Sequence, residues 1–260
     1  MNEVNKTLYI PLFGKSYVSK KGIILDDKKA EEIWKNENFK LKRKSKSKWL
    51  AYYLSMRSAV FDLWVKEKNQ QYQDCIILHL GCGLDSRFLR IKSANIWFDV
   101  DFPSVIEERK LHYIEKENYK MLSADIKEPS FINSLPQANT AIIILEGVSM
   151  YIENKNLQTT LAKLSEKFSN LSVLVDCYTP FAVKMSKLKN PIKEVGIKQV
   201  FGIKHPSVLE KDTGLTFVKE HSITPTYLID ELKGFEKFIF KTLYAGKISK
   251  KLYKLYEYES

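Results

Sequence analysis

Four short apolar runs in the middle of the chain constrain the fold more than any other feature. They are CIILHL, IWFDV, AIIIL and LSVLVDC, which begin at Cys75, Ile96, Ala141 and Leu171. Helical stretches separate the runs, and runs this uniformly apolar are typical of parallel strands that are buried on both faces. We therefore predict an α/β domain, with KMLSA at residues 120–124 as a further strand.

The region before these runs is predicted to be mainly helical. Residues 1–70 contain one short strand-like run, LYIPLF, then a helical stretch after Asp26 and Asp27 and a longer one from about Ser47. Small polar or acidic residues at such positions commonly begin helices. We interpret this region as an N-terminal helical cap on a cofactor-binding core that spans residues 71–178.

The region after the core is irregular. Residues 179–235 are rich in proline and glycine, and we expect them to form a substrate lid. Residues 236–260 are expected to hold a last strand, FIFKTLYAGKI, followed by a tail rich in lysine and tyrosine. Because no linker divides the chain, we predict a single domain over residues 1–260.

Two helices inside the core carry their own sequence signals. Ser104, followed by Glu107 directly after Pro103, predicts a capping box at a helix N-terminus. A second helix is predicted from an apolar stripe at helical spacing, which consists of Leu157, Leu161, Leu164 and Phe168.

The composition excludes several classes of protein. Of the 260 residues, 44% are hydrophobic and 28% charged, which excludes a disordered chain. No apolar run approaches the ~20 residues that a membrane helix needs, and the opening MNEVNK is too polar for a secretory signal. We therefore expect a cytoplasmic protein without a membrane partner. Cys75, Cys82 and Cys177 are widely spaced and lack any CxxC, so we predict reduced thiols and no metal site.

Basic residues are in excess, with 42 Lys and Arg against 31 Asp and Glu, and are concentrated in residues 40–48. The members of this segment are Lys40, Lys42, Arg43, Lys44, Lys46 and Lys48. Such a segment can bind nucleic-acid phosphates, but no aromatic residue is interleaved to stack on bases. We interpret it as a solvated face and do not expect a nucleic-acid partner.

A glycine-containing turn follows the first apolar run and consists of Gly81, Cys82 and Gly83. Glycine permits a tight turn and a close approach of backbone N–H groups to a ligand. A dinucleotide fingerprint has a third glycine where this chain has Ser86, which disfavours the pyrophosphate of NAD or FAD. A ligand with an adenosine but no phosphate fits the turn, and S-adenosylmethionine is the common one.

Acidic residues follow the other runs. Asp99 and Asp101 end the second run, where an acid can accept hydrogen bonds from both ribose hydroxyls. Asp125 follows KMLSA and is either an adenine-side acid or a helix N-cap. Glu146 ends AIIIL at the edge where α/β folds bind ligands, so it can hold an α-ammonium group. Tyr151 either shapes the substrate mouth or belongs to the core.

Arg57 lies in the middle of an apolar helix face. That face consists of Leu50, Tyr53, Leu54, Val60, Phe61 and Trp64. A buried guanidinium needs an anion, and Asp62 lies off this face. Arg57 therefore either grips the carboxylate of a methionine moiety, pairs with another buried acid, or extends its charged end to solvent.

Several stretches together resemble the leucine carboxyl methyltransferase family and, within it, a bacterial branch of polyketide carboxyl methyltransferases. They are TLYIPLFGKSY, RSAVFD, LHLGCGLDSRFLR, IWFDVDFPSVIEERK, ADIKEP and LEGVSMYI, and the resemblance covers about residues 5–180. Their order and spacing make the resemblance specific. It implies a class I S-adenosylmethionine-dependent fold, which is Rossmann-like with a seven-stranded, mostly parallel sheet.

The resemblance also assigns cofactor-binding roles along the chain. It implies Arg57 as the arginine for the cofactor carboxylate, Gly81, Cys82 and Gly83 as the loop, Asp101 as the ribose acid, Asp125 with Ile126 as the adenine-side pair, and Glu146 as the acid near the methionine end. His79 stands where many class I enzymes carry an acid, and we interpret it as a packed strand histidine.

Family members esterify carboxylates, which are already ionised at neutral pH and need no catalytic base. We therefore expect carboxyl O-methylation of a small-molecule, polyketide-like acid, with no assigned catalytic residue. One alternative is a hydroxyl or phenol acceptor, with Tyr151 or His221 as the base. Another is an RNA-binding or tRNA-modifying protein that uses residues 40–48. The oligomeric state is not predicted.

Overall fold

The computed structural model describes residues 8–36, 45–186 and 199–260. Within them, the strands form one seven-stranded sheet of order β3-β2-β1-β4-β5-β7-β6. The strands are β1 Ile76–Leu80, β2 Ile96–Asp101, β3 Tyr119–Ser123, β4 Thr140–Leu145, β5 Asn170–Tyr178, β6 Thr216–Glu220 and β7 Tyr253–Glu259. The first five run parallel, and β7 is antiparallel to both β5 and β6. The predicted α/β fold is confirmed.

Helices cover both faces of the sheet. They are α1 Tyr9–Lys20, α2 Lys28–Asn36, α3 Lys48–Gln71, α4 Arg87–Ile91, α5 Pro103–Lys110, α6 Asn154–Lys167, α7 Pro180–Ser186, α8 Ser207–Glu210, α9 Thr226–Ile229, α10 Gly234–Ile239 and α11 Lys247–Leu252. Short 3₁₀ turns span Pro129–Ser134 and Ser149–Tyr151, and a π-helical turn spans Phe240–Tyr244. No helix in these ranges is both long and apolar enough to cross a bilayer.

The core has two layers because successive strand residues point to opposite faces. Phe61 and Trp64 of α3 belong to the layer on one face, together with Ile77 of β1. On the other face, Leu161 of α6 packs in the layer that contains Leu78. All residues of β1 and β4 are buried, which is why these strands read as continuous apolar runs.

The N-terminal run LYIPLF is helical, so the strand-like reading was wrong. It begins α1, in which Tyr9 and Leu12 are buried. Helix α1 crosses α3 closely at Gly14, where an added Cβ would lie 3.3 Å from the Cα of Ala51. The segment therefore packs on α3 as a helix and does not form the strand that its sequence suggested. The two helices predicted after it are confirmed as α2 and α3.

The run FIFKTLYAGKI is also helical, against the prediction of a last strand. It contains the end of α10, the π-helical turn and the start of α11. Phe240 is buried and its ring stacks on Tyr244 at 5.7 Å, so these aromatic side chains pack on one side of a helix. The last strand is instead β7, in the tail rich in lysine and tyrosine.

The predicted capping box at Ser104 is not formed. Helix α5 begins at Pro103, with Phe102 as its N-cap and no side-chain capping bond, so Ser104 lies inside the first turn. Proline suits this position because it has no N–H to satisfy. The stripe that includes Leu157 and Phe168 is buried as predicted.

Two further predictions meet the structure only in part. The region 179–235 contains α7, α8, α9 and the edge strand β6, so part of the expected lid belongs to the sheet. Residues 40–44 of the basic segment lie outside the described ranges. The three cysteines are buried and carry free thiols. The division of the chain into cap, core, lid and tail remains a prediction.

Candidate functional site

The glycine turn at the end of β1 has left-handed backbone geometry. Gly81 has φ +72° and Gly83 has φ +53°. A Cβ added at Gly81 would lie 2.2 Å from Cγ2 of Val148, so only glycine fits. The N–H groups of Gly81 and Cys82 donate to the carbonyl of Val100 at 2.7 and 3.2 Å. These N–H groups are thus already bonded within the sheet, unlike the ligand-facing N–H groups that the sequence suggested.

Asp101 holds this turn in place. Its Oδ2 accepts a hydrogen bond from the N–H of Gly83 at 2.8 Å, and its Oδ1 accepts one from the N–H of Phe102 at 2.8 Å. Burial raises the pKa of Asp101 to about 6. The carboxylate therefore links the end of β2 to the glycine turn.

Asp99, the other acid of the same run, is committed to the interior. It pairs with Arg109 and accepts hydrogen bonds from the Tyr119 hydroxyl at 2.7 Å and from Trp97 Nε1 at 2.8 Å. The Nδ1 atom of His79 lies 3.3 Å from Asp99 Oδ1, and burial lowers the pKa of this histidine. His79 is thus a packed strand histidine, as expected.

Arg109 supports the glycine turn from behind and was missed in the sequence. Its guanidinium is fully buried and donates to the carbonyls of Gly83 at 2.8 Å and Asp85 at 2.7 Å. It lies in the charged stretch EERK, which looks like an exposed helix surface. Only the pairing with Asp99 distinguishes it from its charged neighbours.

Arg57 is buried and paired with two acids. Its Nε donates to Glu146 Oε1 at 3.1 Å, and its Nη1 donates to Asp176 Oδ2 at 2.7 Å and to the Tyr253 hydroxyl at 3.1 Å. Burial opposes the charge, but Asp176 and Glu146 raise the pKa of Arg57 well above its usual value. The alternative of a buried acid partner is therefore realised, and Asp62 is not that partner.

Glu146 lies at the end of β4 between two guanidinium groups. Its Oε1 accepts from Arg57, and its Oε2 accepts from Arg87. Although burial opposes ionisation, Arg87 and Arg57 hold the pKa of Glu146 at about 2. Glu146 is therefore ionised at neutral pH.

Asp176 is the buried partner of Arg57 that the sequence analysis missed. It is fully buried in β5, and its Oδ1 accepts a hydrogen bond from the N–H of Gly147 at 2.6 Å. Burial raises the pKa of Asp176. The signal was available, because an acid inside the apolar run LSVLVDC needs a buried partner just as Arg57 does.

A second ion network lies beside the first. Asp62 pairs with Arg87 and Arg90, both at 2.6 Å, and Lys15 Nζ lies 2.6 Å from Asp85 Oδ2. Arg87 belongs to both networks because it also bonds Glu146. The cap helices α1 and α3 are thereby tied to the glycine turn through charged groups.

A cavity of about 700 Å³ lies between the glycine turn, α1, α3, α7 and the segment before β7. It brings together six of the predicted site residues, namely Arg57, Gly81, Cys82, Gly83, Glu146 and Tyr151. Its remaining wall is largely apolar and includes Leu50, Tyr53, Leu54, Tyr178, Met185, Leu243 and Tyr253. Tyr151 is half-buried and lines the cavity, and its role at the substrate mouth remains a prediction.

Three predicted residues do not line this cavity: Asp101, Asp125 and Ile126. Asp125 follows β3, and its Oδ1 accepts a hydrogen bond from the N–H of Lys127 at 2.9 Å. It is not a helix N-cap, because the next turn begins at Pro129 with Glu128 as its N-cap. Ile126 is buried in the layer under α6.

Three tyrosines of the cavity wall hold their protons firmly. Burial raises the pKa of Tyr178 to about 12 and raises the pKa of Tyr151 and Tyr253 above the usual range. His221 lies in a separate cavity of about 240 Å³, where its Nε2 is 2.6 Å from Glu257 Oε2. Of the two alternative bases, Tyr151 lines the large cavity but holds its proton, and His221 lies outside it.

The strand order, with an antiparallel last strand inserted beside β5, and the cavity at the carboxyl edge define a class I S-adenosylmethionine-dependent methyltransferase fold. A methyltransferase structure from Thermobifida fusca, described as putative by its authors, matches with a TM-score of 0.57 and 13% identity, covering 94% of this chain and 93% of that one. Magnesium protoporphyrin IX methyltransferase from Synechocystis PCC 6803 matches with a TM-score of 0.51 and 11% identity, covering 89% and 92%.

The sequence model of the leucine carboxyl methyltransferase family matches residues 7–165, and the chain belongs to this family. The tetracenomycin polyketide synthesis O-methyltransferase TcmP of Streptomyces glaucescens is 26% identical over 83% of this chain and 81% of its own length. The chain is thus an S-adenosylmethionine-dependent methyltransferase, as the sequence analysis expected.

Proposed function

We propose that the enzyme methylates a carboxylate oxygen of an apolar small molecule. The observation that carries this proposal is the state of the titratable groups around the cavity. Burial raises the pKa values of Tyr151 and Tyr178, and Glu146 is ionised but held between two arginines. Tyr151, Tyr178 and Glu146 are therefore poorly suited to remove a proton from a hydroxyl near neutral pH. His79 also lines the cavity, but its two ring nitrogens lie 3.3 Å from Asp99 Oδ1 and 3.1 Å from Arg87 Nη1 and are engaged by those groups.

A carboxylic acid avoids this requirement. With a pKa near ~4 it is already ionised at neutral pH, and its oxygen is nucleophilic without a base. The chain's contribution is then to orient the two reactants and to exclude water, and good orientation alone can lower a barrier by roughly 7–11 kcal/mol. The apolar wall, including Leu54 and Met185, suits the exclusion of water.

The residues present fit S-adenosylmethionine, which supplies an electrophilic methyl group on its sulfonium when bound. A cation and an anion, Arg57 and Glu146, stand side by side in the cavity wall. We assign Arg57 to the carboxylate and Glu146 to the ammonium group of the methionine moiety. The internal bonds of Arg57 use Nε and Nη1, and its Nη2 lies against Gly147, which has φ +73°.

We assign the remaining cofactor contacts to the carboxyl ends of β1, β2 and β3. We assign Gly81, Cys82 and Gly83 to the turn under the ligand, Asp101 to the ribose, and Asp125 with Ile126 to the adenine; these last three residues do not line the 700 Å³ cavity. Support for this order comes from the parallel strands, whose carboxyl ends meet at one edge of the sheet. Tyr151 is assigned to the acceptor, next to Glu146.

The acceptor class is supported by the wall that faces away from the glycine turn. Leu50 and Leu54 of α3, Ala182 of α7 and Leu252 of α11 present aliphatic surface there. Such a wall favours a hydrophobic, polyketide-like acid over a charged polymer. For the RNA alternative, Lys48 is engaged by Glu236 at 2.7 Å, and no finding supports it.

The test is a reaction with isotopically labelled S-adenosylmethionine and a panel of hydrophobic carboxylic acids and matched phenols. A carboxyl methyl ester releases labelled methanol in mild alkali, whereas a methyl ether does not. At saturating donor we expect alkali-labile product and a kcat that stays flat from pH 8 down to about 5.5. Alkali-stable product, with a rate that falls below about pH 7, would replace the carboxylate by a hydroxyl acceptor.

A further inference from the structure

The segment between β6 and β7 carries three large apolar side chains that are mostly exposed to solvent. Phe235, Phe238 and Leu243 are 74%, 63% and 64% exposed. Aromatic side chains exposed to this degree in a cluster are unusual on a soluble surface and mark interaction sites.

These three side chains share one face of a continuous helical segment. Phe235 and Phe238 are three positions apart in α10. The following turn is π-helical, with the N–H of Ala245 bonded to the carbonyl of Phe240 at 2.9 Å. In such a turn residues five apart lie about one turn apart, which aligns Leu243 with Phe238.

The opposite face of the segment is anchored in the fold. Phe240 is fully buried, and Tyr244 stacks on Trp49 of α3 at 5.4 Å with an interplanar angle of 12°. The exposed face is therefore presented by a fixed helix and is not an unfolded flap. Substitutions on it leave the core contacts in place.

Positive charge surrounds the exposed apolar face. Between positions 233 and 252 the sequence has one acid, Glu236, and six lysines, namely Lys233, Lys237, Lys241, Lys247, Lys250 and Lys251. Glu236 is already engaged by Lys48 at 2.7 Å and by the Tyr52 hydroxyl. Of the six lysines, Lys237 is paired with Asp230 at 2.7 Å. The surface therefore combines protruding aromatic groups with an excess of lysines over acids.

The same surface borders the large cavity. Leu243 lines the cavity and is exposed, as is Met185 of α7 at 44%. Helix α7 is tied to α11 by Thr179, whose N–H donates to the carbonyl of Leu252 at 3.1 Å. Phe181 of α7 adds a further exposed ring at 47%. The apolar face and the cavity mouth are thus parts of one continuous rim.

We propose that this rim, formed by α7 and the segment from Gly234 to Leu252, is a docking surface for an anionic lipid bilayer. Exposed rings enter the interfacial region, and the surrounding lysines contact the lipid phosphates. The sequence analysis expected no membrane partner because it considered only segments that span a bilayer. A surface-lying helix needs no such segment. The proposal stands independently of which acceptor the enzyme methylates.

Vesicle flotation with the full chain tests the proposal. Phosphatidylcholine vesicles with about one third phosphatidylglycerol are compared with pure phosphatidylcholine vesicles. We expect binding to the anionic vesicles and at least tenfold weaker binding to the neutral ones. The double variants Phe235→Ser/Phe238→Ser and Lys241→Glu/Lys247→Glu should each lower the partition coefficient about tenfold while leaving the melting temperature and the affinity for S-adenosylhomocysteine unchanged.

A matched control uses another exposed apolar pair. Leu111 and Ile114 are 75% and 84% exposed but precede β3, at the opposite edge of the sheet. The variant Leu111→Ser/Ile114→Ser should bind vesicles like the wild type.

Three results would overturn the proposal. The first is that the wild type does not bind anionic vesicles. This includes the case in which the rim is covered in a dimer, shown by a dimeric wild type and a monomeric Phe235→Ser/Phe238→Ser variant. The second is an equal loss in the control variant. The third is a loss through the lysine variant alone, which indicates an acidic protein or another polyanion as the partner.

Discussion

The guanidinium of Arg57 and the carboxylate of Asp176 lie 2.7 Å apart, although 119 positions separate the two residues in the chain. The pair joins α3 of the N-terminal region to β5 of the sheet, and both groups are buried. Loss of either member leaves an unpaired charge in the interior, which typically costs about 3–5 kcal/mol. Arg57, which we propose binds the cofactor carboxylate, is therefore also a structural connection between helix and sheet.

Replacing Arg57 separates these two roles. Arg57→Ala should weaken binding of S-adenosylhomocysteine more than tenfold, measured by calorimetry, because the cavity loses its carboxylate partner. In Asp176→Asn, Arg57 stays in the cavity and keeps its bond to Glu146. This variant should therefore lower the melting temperature but change the affinity for S-adenosylhomocysteine by less than about threefold. Equal losses of affinity in the two variants would make Arg57 a structural cation only.

The glycine turn should tolerate no side chain at position 81. In Gly81→Ala the new Cβ meets Val148 and the left-handed backbone adds about 1–2 kcal/mol, so urea unfolding should show a loss well above that amount. Gly22→Ala is the matched control, since Gly22 has φ +65° but no atom within 4 Å of the added Cβ.

A second substitution checks the physical cause. Val148→Ala in the Gly81→Ala background removes the clashing methyl groups and should restore part of the stability. If Gly81→Ala and Gly22→Ala cost the same, the packing against Val148 is not what requires glycine here.

Cofactor affinity should depend on pH through Asp101. Its pKa of about 6 lies above the ordinary 3.8, so the folded protein binds this proton more tightly than the unfolded chain. Ionisation of Asp101 therefore destabilises the free protein as pH rises from about 4 through 6. Binding follows the opposite direction, because the ionised carboxylate is the better acceptor for ribose hydroxyls.

Calorimetry with S-adenosylhomocysteine should thus show about tenfold weaker binding at pH 5 than at pH 7. Glu146, with a pKa of about 2, stays ionised throughout and adds no slope. Asp101→Asn should bind more weakly at pH 7 and show a flat profile between the two pH values. A flat profile in the wild type would contradict the role of Asp101.

Tyr151 should affect the fit of the acceptor and not the proton balance. Because burial raises its pKa, the hydroxyl is a poor base. Tyr151→Phe should leave kcat within about threefold and change mainly the KM of the acceptor in steady-state assays. A fall in kcat of about 100-fold, with a lost pH dependence, would identify Tyr151 as a base and favour a phenol acceptor.

The parts of the fold that could be predicted from the sequence are those in which burial produces a continuous apolar run. Strands β1 and β4 are covered on both faces and read as apolar runs. Strand β7 escaped because Glu257 interrupts its pattern, and only the structure shows this acid buried beside Lys68 at 3.1 Å. FIFKTLYAGKI was misread as a strand because its aromatic residues are compatible with the spacing of either a strand or a helix. Only the structure shows that Phe240 is buried and stacks on Tyr244.

The same distinction holds for the site. Arg57 was predicted as a site residue because a charge inside an apolar helix face requires a partner, and Glu146 because it ends an apolar run at the carboxyl edge of the sheet. Asp176 is likewise a charge in an apolar run, but it lies inside its run and not at its end, where the search was made. Arg109 could not be recognised in this way, because its neighbours in α5 are also charged and it does not stand out among apolar residues. Its partner Asp99 is brought to it only by the folded chain.

Strands β6 and β7 are adjacent and antiparallel, so residues 221–252 are the connection of a β-hairpin, enlarged until it forms one wall of the cavity. Both ends of this connection are fixed by strand pairing, and the glycine turn lies on strands that it does not touch. A connection anchored in this way can change its length and side chains while the sheet is retained. A different connection would therefore reshape one wall of the cavity and leave the strand that leads into the glycine turn unchanged.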